Sequence, residues 1–175
     1  MSRAVLSIGS NLGNRYRHLQ LAVRLLGESV VLVSGIYETP PWGDADQPAY
    51  LNAVLMAVDP AAAPHDWLER ARACEAAAGR VRDPERRFGP RTLDVDVIGV
   101  WDADDQPVLS DDPELTLPHP RAHQRAFVLR PWIDIQPYGQ LPGHGWLTDL
   151  LNDPALADDL AGMTPRPDLP LAPAS

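Results

Sequence analysis

The sequence predicts an α+β domain of the ferredoxin-like kind, a β-α-β-β-α-β chain whose two helices pack on an antiparallel sheet. Three observations carry this expectation. Four runs are rich in β-branched and other apolar residues. Two stretches place apolar residues at helical spacing, one after the first run and one after the third. Gly- and Pro-rich clusters punctuate the joins.

The first strand is "RAVLSIGS", ending at Gly9. In "RHLQLAVRLLGES", Leu19, Ala22, Val23 and Leu26 fall on one helical face, and Gly27 is the stop. The preceding "GSNLGNR" lacks the spacing and the lysine of a phosphate-binding P-loop, so it reads as a strand-to-helix turn capped by Asn11 or Asn14. "VVLVSGIYET" is the second strand and "YLNAVLMAV" the third, separated by the stiff loop "PPWGDADQPA". "PHDWLERARACEAAAG" sets Trp67, Ala71, Cys74 and Ala78 on one face and ends at Gly79. "TLDVDVIGVW" is the fourth strand. Two helices then cover one sheet face and leave the other free for a site. Past residue 101 an acidic loop with a short strand and a short helix in "HGWLTDLLND" are expected. Residues 1–160 form one domain, and the Pro-rich 161–175 is a loose tail with little to bury.

Bulk composition narrows the function. The chain has 175 residues, 45% of them hydrophobic and 22% charged, which fits one globular domain rather than a disordered segment. No apolar stretch is long enough to span a membrane, and the opening residues are too brief an apolar run for a signal peptide, so a cytoplasmic protein is expected. The single cysteine excludes an internal disulfide and a cysteine-built zinc site. A net charge of −9 opposes nucleic-acid binding. Yet all 15 basic residues are arginine, and five lie in "RVRDPERRFGPR", residues 80–91. Local basicity in an acidic chain fits a small polyanion.

The chemistry concentrates on the fourth strand. Asp94 and Asp96 alternate with Leu93, Val95 and Val97, so both carboxylates share a face, roughly 6.5–7 Å apart at Cα. A bare D-x-D is usually a solvated strand face. Here aspartate is disfavoured in a strand, and the two charges repel unless a cation joins them. Mg²⁺ accepts one or two carboxylates plus substrate phosphates. The arginine loop supplies guanidinium groups that bind phosphate bidentately, although taken alone it reads equally well as a solvated loop paired with Asp83 and Glu85. Tyr50 and Asn52 share a strand face where a ring and an amide can read a flat heterocycle, although taken alone core packing for Tyr50 and a strand-edge hydrogen bond for Asn52 are the readier reading. His119 and His123 stand four apart, but Pro118 and Pro120 argue against a helical zinc pair.

Taken together, "RFGPRTLDVDVI", "SIGSNLGN", "YETPPWG", "QPAYLNAV", "GRVR" and "LPHPR…RAFVLRPW" resemble the 6-hydroxymethyl-7,8-dihydropterin pyrophosphokinase family, in the same order, over residues 4 to 135. The resemblance implies a ferredoxin-like fold and transfer of pyrophosphate from ATP to the pterin's hydroxymethyl oxygen, leaving AMP, in folate biosynthesis. It implies two Mg²⁺ ions at Asp94 and Asp96, with Arg80 and Arg91 stabilising the phosphates during transfer. Glu75, Arg82, His119 and Arg125 would serve the nucleotide. Tyr50 and Phe127 would sandwich the pterin, Asn52 and the Thr39-Pro40 backbone would hydrogen-bond its edge, and Trp42 and Phe88 would cover it. Phe88 stands where the family often has Trp, so it offers no indole N–H. The implied partners are small molecules, ATP and the pterin; nucleic acid and membrane are not expected, and a monomer is. Two rivals remain at this level: another metal-dependent nucleotidyl- or phosphotransferase, and a ferredoxin-like binding module.

Overall fold

The computed structural model describes residues 1–41, 46–79 and 92–174. Along the chain run β1 (Ser2–Ser10), α1 (Arg15–Leu26), β2 (Val30–Val33), β3 (Tyr37–Thr39), β4 (Tyr50–Asp59), α2 (Pro64–Ala77) and β5 (Asp94–Asp102). They are followed by the hairpin β6 (Ser110–Asp112) and β7 (Leu115–Leu117), then α3 (Ala126–Ile135) and a small hairpin, β8 (Gln140–Leu141) and β9 (Gly145–Trp146). Finally come α4 (Leu147–Leu151), α5 (Ala157–Ala161) and β10 (Thr164–Pro165). The architecture is α+β. The main sheet is antiparallel, ordered β10-β3-β4-β1-β5, with β2 also on β4.

β1 lies inside the sheet because it is apolar on both faces. Ala4, Leu6 and Ile8 face α1 and α2, while Val5 faces the opposite layer. Asn14 starts α1 by accepting from the Arg17 N–H at 3.2 Å, and Leu19, Ala22, Val23 and Leu26 are its buried stripe. Gly27 ends it at φ +61°, a left-handed conformation that glycine adopts without penalty. α2 buries Trp67, Ala71, Cys74 and, against the usual preference, Glu75. Burial pushes the Cys74 thiol up to about 11, which makes it an inert core group.

Three sequence expectations need correction. "VVLVSGIYET" is not one strand. At Ser34 the side chain takes over the pairing: its N–H donates to Val54 O, and its Oγ accepts from Val54 N–H, both at 2.9 Å. The strand breaks there into β2 and β3, which lie in succession along β4. Secondly, the second sheet face is not free along its whole length. α3, α4 and Leu156 cover Val5, Val54, Met56, Ile98 and Trp101, with Trp132 completely buried between them. α3 is hard to see in sequence because Pro131 lies inside it. Thirdly, the Pro-rich end does not stand off the body. β10 pairs with β3, Arg166 N–H donates to Ile36 O at 2.8 Å, and Leu169 and Leu171 pack on the α1/α2-side core. Two leucines among the prolines supply the apolar contact that composition averages away.

Candidate active site

The sheet face under α3 changes character along its length. Register aligns Asp94, Gly9, Asn52 and Tyr37 in one row across four strands, and Asp96, Ser7 and Val54 in the next. Beyond these, Val5, Met56 and Ile98 lie in the apolar layer beneath α3. The strands therefore bury hydrocarbon at one end of this face and present polar groups at the other. Val95 and Val97 point into the opposite core, and the two aspartates share the polar face as their alternation requires.

Gly9 organises the row. A β-carbon built there would meet Asn52 Oδ1 at 2.5 Å and Tyr50 Cδ1 at 3.5 Å. Both side chains thus lie close over the β1 backbone, and Asn52 Nδ2 donates to Thr39 Oγ1 at 2.6 Å. The amide is buried and fixed in direction, which a strand-edge asparagine in water would not be.

Next to the aspartates opens a cleft of about 470 Å³ between α2 and β7, lined among others by Arg72, Glu75, Asp94, Asp96, Thr116 and His119. Glu75 is only 5% exposed, and its Oε2 accepts from the Val95 N–H at 3.1 Å. A helix carboxylate thereby locks α2 to the acidic strand. Arg125, at the start of α3 and 7% exposed, reaches Asp96 Oδ2 at 3.4 Å, long for a charge-assisted bond. Its guanidinium carbon also lies 5.4 Å from the centre of the Phe127 ring. His119 is fixed through Nδ1, which accepts from Arg121 N–H at 3.1 Å. Burial, reinforced by Arg125 and Arg121, holds its imidazole down at about 4, so it is neutral near pH 7.

Phe127, beside the Arg125 guanidinium, lines a smaller recess of about 30 Å³ together with Thr39, Pro40, Pro41, Asp159 and Met163. Among the described residues, then, the structure gathers Glu75, Asp94, Asp96, His119 and Arg125 around one cleft, and Thr39, Pro40 and Phe127 around the recess. Asn52 and Tyr50 stand beside them over Gly9. Trp42, Arg80, Arg82, Phe88 and Arg91 fall outside the described residues. Sequence reasoning missed Gly9, Arg72, Thr116 and Met163. Only Gly9 carries a readable signal, since glycine inside a strand marks a close approach. No three acidic, histidine or cysteine side chains among the described residues cluster as a metal site, and His123 instead stacks on His144 with ring centres 4.3 Å apart.

Fold and site together define an α+β small-molecule-binding domain, with an acidic strand and a buried arginine beside a ligand-sized cleft. Within that class, the chain belongs to the 7,8-dihydro-6-hydroxymethylpterin-pyrophosphokinase (HPPK) family, whose model matches residues 5–137. It is 49% identical over 145 residues to the 2-amino-4-hydroxy-6-hydroxymethyldihydropteridine pyrophosphokinase of Mycobacterium tuberculosis, covering 81% of this chain and 76% of that relative. The enzyme of the same name from Pseudomonas aeruginosa is 39% identical over 155 residues, covering 86% and 91%. Among solved structures, a triple mutant of Plasmodium falciparum HPPK-DHPS with STZ-DHP matches with a TM-score of 0.67 at 12% identity, over 94% of this chain. This chain spans 46% of that structure's length, and a likeness at such low identity speaks to fold alone.

Proposed function

We propose that the chain transfers pyrophosphate from ATP to the hydroxymethyl oxygen of 6-hydroxymethyl-7,8-dihydropterin, giving AMP and the pterin diphosphate for folate biosynthesis. The observation that carries this reading is Arg125. It joins the acidic strand, through Asp96, to the recess, through Phe127, so the cleft side and the recess side of the site meet at one guanidinium. The family match and the names of the relatives supply the substrates. The strand order supports a ferredoxin-like sheet, with β2 and β3 together taking the part of one strand.

ATP occupies the cleft between α2 and β7 on this reading, with Glu75 holding the cleft wall in place. The pterin lies between Tyr50 and Phe127, its edge read by Asn52 and the Thr39-Pro40 backbone, with Trp42 and Phe88 covering it. Asp94 and Asp96 fit Mg²⁺: they are hard oxygen donors on one face at the edge of an open cleft, which leaves room for phosphate oxygens and water. Two bound Mg²⁺ ions would supply neutralisation of triphosphate charge. The protein's own part is positioning and electrostatics. Arg125 faces the charge at the junction, neutral His119 presents its other ring nitrogen without repelling Arg121, Arg80 and Arg91 stabilise the phosphates during transfer, and Arg82 serves the nucleotide. We assign this activity to a monomer in the cytoplasm. No described helix is long and apolar enough to cross a membrane.

The test is product analysis with ATP, Mg²⁺ and the reduced pterin. AMP and pterin diphosphate are expected in equal amounts; ADP with a pterin monophosphate, or no turnover, rejects the reading. Asp96→Ala abolishes turnover while leaving the fold intact, checked by thermal melting. Near-wild-type rates from that variant would sink the two-metal arrangement.

A further inference from the structure

The segment beyond residue 137 lies outside the part matched by the family model, yet it reaches the recess. α5 and the residues after it pass along the outer edge of β3. There Thr164 pairs with Glu38 and Pro165 with Tyr37. Arg166 fastens the crossing: its Nη1 donates to Glu38 Oε2 at 3.0 Å, and its Nε and Nη2 donate to Asp168 at 3.0 and 2.9 Å. Glu38 Oε2 also meets Arg15 at 3.0 Å, and Arg15 donates to Ala49 O at 3.1 Å. One carboxylate therefore ties the C-terminal segment, β3 and α1 together, and Arg15 carries the tie on to the residue before β4. Just before β10, Gly162 abuts Pro40 so closely that a β-carbon would stand 3.1 Å from Pro40 Cγ. Met163 and Asp159 then complete the recess opposite Phe127.

We infer that residues 157–168 form a strap that builds the outer wall of the pterin-side recess and sets affinity for the flat heterocycle, with Met163 as the contact and the Gly162–Pro40 abutment positioning the Thr39–Pro41 turn. This rests on the pterin assignment made above. A thioether is a suitable wall for such a ring, being polarisable and adaptable in shape. The cleft assigned to ATP shares none of these lining residues, so the strap acts on one substrate only.

Pterin and ATP affinities are measured separately, as KM in turnover and as Kd by fluorescence titration of the full chain. Met163→Ala raises the pterin constants about threefold to tenfold, the scale of one lost apolar contact, and leaves those for ATP unchanged. Gly162→Val, which pushes on Pro40, shifts pterin affinity the same way, and thermal melts establish that both variants are folded. Unchanged pterin constants in both folded variants overturn the inference, as does an equal rise for pterin and ATP, which marks a merely structural role. A wild-type chain that neither binds nor converts the pterin overturns the functional assignment together with the strap. That failure is read before any variant is made, so the two are distinct.

Discussion

At Gly9 the Asn52 amide occupies the space that any side chain would need, 2.5 Å from the position of a β-carbon. Gly9→Ala must therefore move Asn52 off Thr39, because the intruding group faces an amide held by β4 rather than a flexible tip. We expect a rise in pterin KM of about tenfold or more, from a misdirected buried hydrogen-bonding group, with ATP KM little altered. Steady-state kinetics on both substrates check this. His119 offers a second residue-level prediction. Its folded imidazole titrates at about 4 against an ordinary 6.5, mainly through burial. Between those values the unfolded chain binds a proton that the folded chain refuses, so this contribution favours folding in full above 6.5 and is lost as pH falls towards 4. In the ligand-free protein, NMR should show imidazole protonation near pH 4, and His119→Asn should flatten the pH dependence of urea stability in that window. A midpoint near 6.5 would contradict the burial.

At the scale of elements, the site depends on how α3 lies on the sheet. Trp132 is completely buried against Val5, Val54, Met56, Ile98 and Trp101. Gly99 in β5 admits the Trp101 ring, whose nearest atom would stand 2.7 Å from an added β-carbon. Trp132→Ala should cost about 3–5 kcal/mol of stability, measured by denaturant unfolding. It should also weaken Arg125's hold near Asp96, because Arg125 leads directly into α3. A second pin acts along the same helix: Tyr37 donates to Asp134 Oδ2 at 2.7 Å, and burial together with that carboxylate pushes the phenol up to about 12. β3 is thus clamped from one side by α3 and along its edge by β10.

At the scale of the whole molecule, the sheet serves two layers. One face is core beneath α1 and α2, with the ion-paired Glu38 at its β3 edge; the other is core at one end and site at the other. The split is written in β1, β4 and β5. On the site face Val5, Met56 and Ile98 give way to Ser7, Gly9, Asn52 and the two aspartates. This gradient was legible as residues but not as geometry, because a strand pattern reports which side chains share a face and not which part of that face a distant helix will cover.

The alternation around Asp94 and Asp96, the helical stripes of α1 and α2 and the order of the first elements follow from local periodicity, so the sequence alone determined them. So did the family resemblance, because its motifs are contiguous strings. Only the tertiary structure decided that Ser34 would break a strand, that a proline-containing α3 would cap half of the second face, and that an arginine at its start would stand between an acidic cleft and an aromatic recess. It also decided that the Pro-rich end would bind an edge strand and wall the recess. Each of these rests on contacts between residues far apart in the chain, whose free energy depends on burial and register and leaves no periodic trace in the sequence.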